Sequence, residues 1–306
     1  MKRHQLTLLS GREDELRISA SLLQEALSAL IDGARSATRF AIEGVSVRKG
    51  SKPEWLEAAC HVDVTGLVKG SARLELEAPT LDESGAWSLL GGPTLFDDPK
   101  RGTQDKTAID LLGEVLAAFV EGRLEDVVAD RALLDSCVRL VKADPCGVKI
   151  EGISGRSQPL VLQPEHASQI EQLRDKTPPN EATRVSGVLD TISESRPDII
   201  LSVGGVRVPA RLREHDAELL HRLFRRQVVV SGTARFRPSG KLLSIEVVTI
   251  QAATDKDQIF ATLPEPRSQT PLFLPAHRAK TDVSAFFATW PGEETEEELL
   301  LALKDL

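Results

Sequence analysis

Residues 183–251 constrain the fold most, because their apolar positions change period in a definite order. Thr183 to Ile192 alternates as a strand with Gly187 inside it. Asp198 to Val203 and Val206 to Arg211 are two β-rich runs joined by Gly204-Gly205, a two-residue hairpin signal. Glu214 to Arg225 places Leu219, Leu220, Leu223 and Phe224 at helical spacing. Gln227 to Phe236 alternates again, Arg237-Pro-Ser-Gly240 turns the chain, and Leu242 to Ile250 is a fifth strand.

Five strands with one helix between the third and the fourth is the element order of an OB-fold, a small β-barrel, and the segment resembles one. The 306-residue length accommodates a second domain. Asp175-Lys-Thr-Pro-Pro-Asn180 has linker composition, so the chain divides into an α+β domain over 1–175, an OB-like barrel over 183–253 and a Pro-containing extended tail over 254–306 ending in a short helix.

Within the first domain, Leu6 to Leu9 and Glu15 to Ile18 read as short strands. A capping box at Ser21–Gln24 opens a helix expected to stop near Gly33, and Phe40 to Val47 reads as a strand. Glu57 to Leu67 and Ser71 to Ala78 read as a hairpin. Pro79 to Lys106 is a long irregular connection containing Trp87. Two helices follow, one over Thr107 to Glu121 and one capped by Asp130 with Leu133, Leu134, Cys137, Val138 and Val141 inward. Val148 to Ile153 and Leu160 to Leu162 close the domain as strands.

Net charge is −8, which argues against a bulk nucleic-acid coat. Cys60, Cys137 and Cys146 have no paired spacing, which fits a reducing compartment. No apolar run has the length of a signal peptide or a membrane span, so a cytoplasmic location without membrane contact is expected. Gly102 to Thr107 fails as a phosphate loop because Asp105 occupies the position before Lys106 that must be glycine. His61 and Asp63 share a strand face, but a metal site needs three or four converging ligands. His215 and His221 are off register for one helical face. Cys137 lies on an apolar face, where packing accounts for it. No enzyme, metal or cofactor is therefore expected. The long 79–106 connection beside His61 and Asp63 is where a catalytic site would have to form.

Two binding features remain. From Arg184 to Ile250 there are 11 Arg or Lys against 7 Asp or Glu. Arg222, Arg225, Arg226, Arg235, Arg237 and Lys241 are expected near one end of the barrel, as a basic surface for single-stranded nucleic acid. Stacking partners are scarce: only Phe224 and Phe236 are at hand, and Phe224 is expected in the core. The same arginines would equally decorate a barrel that binds protein or nothing.

The C-terminal segment combines Phe286, Phe287 and Trp290 with an acidic run, Glu293-Glu-Thr-Glu-Glu-Glu298, and then Leu299 to Leu306. Thr295 and Glu298 form a capping box, and glutamates suit the positive end of a helix dipole. A helix this short needs a surface on which to bury its leucines, either the chain's own body or a partner. Trp290 to Leu303 resembles the C-terminal tails of bacterial antitoxins paired with PIN-domain ribonuclease toxins. That resemblance implies a protein partner, a PIN-like ribonuclease toxin. Phe286, Phe287, Trp290, Leu299 and Leu303 would anchor in apolar pockets, while Glu293, Glu294 and Glu297 would pair with the cations that hold RNA. Such antitoxins carry a small DNA-binding domain, and this chain has a large α+β domain and a barrel in its place.

Overall fold

The computed structural model describes residues 1–10, 19–48, 50–67, 72–90, 102–193, 197–214 and 216–266. They form an α+β assembly: one antiparallel sheet with helices against it, followed by a closed barrel.

Strand β1 (Lys2–Leu8) opens the chain, and its His4, Leu6 and Leu8 face inward. Helix α1 spans Ala20–Glu43 and stops at Gly44, whose φ of 72° lets its N–H return to the Phe40 carbonyl. The expected stop near Gly33 and the expected strand over Phe40 to Val47 are therefore wrong. Gly33 is a packing residue: a Cβ there would lie 3.0 Å from Leu112 Cδ2. Ala26, Ala29, Ala34 and Ala37 keep the same helix slim on its buried side. That closeness, rather than helix propensity, explains the glycine.

The expected strand from Glu57 is also corrected. Helix α2 (Glu54–Ala59) starts after Pro53, with Glu54 and Glu57 in its first turn, and β2 is only Asp63–Leu67. Strand β3 (Arg73–Ala78) alternates as expected, with Leu74, Leu76 and Ala78 buried. The ends of the long connection are zipped together, since the Leu81 amide donates to the Lys106 carbonyl and Asp82 to Gln104. Trp87 packs on the core.

Helix α3 (Ala108–Val120) carries a full capping box at Thr107 and Asp110. Helix α4 (Arg131–Val141) is capped by Asp130, whose carboxylate accepts from the Leu133 amide. All five inward residues expected for α4 are buried. Strands β4 (Val148–Glu151) and β5 (Leu160–Leu162) follow. Helix α5 (Pro164–Lys176) buries only Ala167 and Ile170, too thin a stripe for periodicity to reveal. The sheet order is β2-β3-β1-β4-β5.

The barrel is built from β6 (Glu181–Ile192), β7 (Asp198–Val203), β8 (Val206–Leu212), β9 (Gln227–Phe236) and β10 (Leu242–Ala252), with α6 (Ala217–Leu223) between β8 and β9. The antiparallel pairs are β6–β7, β7–β8, β9–β10 and β6–β9. A parallel pair, Ile245 against Ala210, joins β10 to β8 and closes the ring. This is the OB-like barrel expected from element order, closed by that three-residue parallel pair. Val185, Leu201, Val208, Val230 and Ile245 fill it, and Leu220 and Leu223 of α6 pack against the same cluster. After β10 the expected extended chain first makes a 3₁₀ turn, Asp255–Phe260. Arg184 of β6 binds Asp257 at 2.9 Å and covers the Phe260 ring at 4.8 Å.

Candidate binding surfaces

The six barrel cations do not gather at one end. Arg222, Arg225 and Arg226 lie on α6 and the turn after it. Arg235, Arg237 and Lys241 lie at the far end of β9 and the turn into β10. Residues 227–234 of β9 separate the two groups, so Arg226 and Arg235 are about 30 Å apart along extended chain. One electrostatic field along the sequence becomes two patches in space.

The near patch is shaped by Arg225, whose φ of 58° turns the chain out of α6. That turn leaves Phe224 37% exposed, with the Arg225 guanidinium 5.5 Å from its ring centre. Phe236 is the aromatic that is buried, at 2% exposure. The expected roles of the two rings are thus exchanged, because α6 ends one residue before Phe224.

At the far patch Arg235 is already engaged, its Nη2 lying 2.6 Å from Glu246 Oε2. The paired guanidinium holds the Glu246 carboxyl below the ordinary range. Arg237 and Lys241 instead border a groove with Arg207, Val206, Pro209 and Leu263, enclosing ≈ 790 Å³. The Arg237 Nε–H is buried and has no partner among the described residues. Arg207 and this groove are absent from the sequence reading, since β8 and the β9–β10 turn meet only through barrel closure.

The chemistry-bearing residues of the first domain fall into place individually. His61 Nε2 meets Asp63 Oδ1 at 3.2 Å on an exposed surface. Among the described residues no group of three ligand-type side chains could hold a metal ion. Burial pushes the Cys137 thiol up to about 12, and burial likewise pushes Cys60 up to about 11, so both are protonated packing groups at neutral pH. Cys146 is exposed. His221 is exposed on α6, and His215 lies outside the described residues. So do Phe286, Phe287, Trp290, Glu293, Glu294, Glu297, Leu299 and Leu303. No helix among the described residues is long and apolar enough to cross a membrane.

No known family, curated protein or solved structure matches this chain.

Proposed function

We propose that this chain is a non-enzymatic binding protein that neutralises a PIN-like ribonuclease toxin through residues 281–306. The sequence of Trp290 to Leu303 carries the reading: an aromatic anchor, an acidic run, then leucines at helical spacing. The acidic run imitates phosphate charge, and the aromatics supply buried contact area in a groove made for RNA. The closed barrel supports it indirectly. Its ring is completed by residues 181–252, so no strand from the C-terminal residues is required.

The test is co-expression with the product of the adjacent gene, using the full chain and a chain ending at Lys280. Co-purification with the full chain alone is expected. A neighbour retained equally by both forms overturns the reading.

A second reading, single-stranded nucleic-acid binding by the barrel, is favoured by the groove where Arg207, Arg237 and Lys241 border apolar Val206 and Pro209. Reversing Arg207 and Lys241 to Glu is expected to abolish retardation of a labelled oligonucleotide, and binding is expected to fall steeply with salt. Reversing Arg225 and Arg226 tests the near patch in the same assay. Absence of retardation at low salt removes this reading.

A further inference from the structure

The loop after α1 faces the wall of the barrel, and a cavity of ≈ 210 Å³ lies between them. It is lined by four arginines, Arg48, Arg211, Arg213 and Arg235, against two glutamates, Glu43 and Glu246. The carboxylates do not balance the guanidiniums one for one. Glu43 is turned to Arg39 of its own helix, with Arg39 Nε 3.4 Å from its Oε2. Glu246 is shared, with Arg235 at 2.6 Å and Arg213 at 3.3 Å.

Arg211 is weakly satisfied. Its Nε is 3.7 Å from Asp198, and its Nη1 reaches the Ile42 carbonyl at 3.4 Å. A guanidinium has five N–H donors, so Arg211 keeps donors beyond these two contacts for a ligand entering from solvent. Arg48 is exposed and has no ion pair or hydrogen bond among the described residues. Counting Asp198 beside Glu43 and Glu246, the four arginines still exceed the three carboxylates, so the cleft holds surplus positive charge on planar donors. A second cavity of ≈ 420 Å³ shares Val47 and Arg235 with it as wall residues.

We propose that this cleft is a binding site for a phosphate ester, held by Arg48, Arg211 and Arg213. Guanidiniums match phosphate oxygens two at a time, which is why arginine rather than lysine suits such a ligand. The first cavity is smaller than the ~300–1,000 Å³ of drug-sized sites, so it suits an anionic head group rather than a whole apolar molecule. The remainder of the ligand would run along the second cavity. The site shares no lining residue with the groove beside Lys241.

The test is calorimetric titration of the full chain at low salt with inorganic pyrophosphate and with ADP, and anisotropy with a labelled twelve-residue oligothymidylate. Saturable binding of at least one probe is expected. Arg48→Glu with Arg211→Gln is expected to weaken it at least tenfold, and Arg207→Glu with Lys241→Glu less than twofold. Arg48→Glu alone, at an exposed and unpaired position, is expected to weaken it measurably even if the double variant folds poorly. Oligothymidylate binding with the same variant sensitivity identifies the ligand as a strand backbone. Binding of ADP but not oligothymidylate identifies a free phosphate ester, and pyrophosphate binding shows that the phosphoryl groups themselves are what the arginines hold. No binding of any probe, or equal loss in both double variants, overturns the proposal.

Discussion

His4 is 1% exposed, with its Nε2 3.0 Å from Thr107 Oγ1. Thr107 Oγ1 also accepts from the Asp110 amide at 3.1 Å, which ties the histidine to the cap of α3. Burial lowers the His4 pKa, outweighing the upward pull of the Asp110 carboxylate. The unfolded chain then binds this proton more readily than the folded one. Stability is present above the ordinary histidine range, near 6.5, and is lost as pH falls below it. Thermal melts between pH 7.5 and pH 5.5 are expected to fall more steeply for the natural chain than for His4→Gln. Asp110 is completely buried and accepts from the Thr107 amide at 2.9 Å, the Ser154 amide at 2.6 Å and Ser154 Oγ at 2.7 Å. Asp110→Ala strands those donors, and chemical denaturation is expected to register a loss of about 3 kcal/mol.

At the scale of elements, two glycines that look alike in sequence have different obligations. Gly33 faces the tip of Leu112, a side chain that can move, and a Cβ there would gain helix propensity of about 1 kcal/mol. Gly33→Ala is expected to leave the urea midpoint nearly unchanged. Gly33→Val overfills the α1–α3 contact and is expected to cost about 2 kcal/mol. Gly232 faces backbone: a Cβ there would sit 2.0 Å from the Glu246 carbonyl oxygen across the β9–β10 pair. Gly232→Ala must push two barrel strands apart and is expected to cost at least about 3 kcal/mol, measured in the same titration.

At the scale of the molecule, the buried apolar residues form two separate clusters, one under the five-stranded sheet and one inside the barrel. Leu112 belongs to the first and Leu201 to the second, both completely buried. Truncation to Ala at either site is expected to cost about 3 kcal/mol. Scanning calorimetry is expected to resolve two transitions, with Leu112→Ala lowering one and Leu201→Ala the other. A single transition moved equally by both would mean that the sheet and the barrel unfold as one unit.

The amino-acid sequence by itself determined the barrel, because period-two alternation, a two-glycine turn and one amphipathic helix are local signals arriving in a single order. It likewise determined α3 and α4, whose caps and apolar stripes are strong. Where a residue answered to a distant neighbour, local signals misled. Gly33 reads as a helix stop until Leu112 is placed against it. Phe224 reads as core until the Arg225 turn carries it to the surface. A run of barrel cations reads as one patch until β9 separates its members. Only the tertiary structure brought Arg48 to Arg211 and Arg213 across more than half the length of the chain, because charge surplus in a cleft depends on which carboxylates share the space, and chain order carries no record of that.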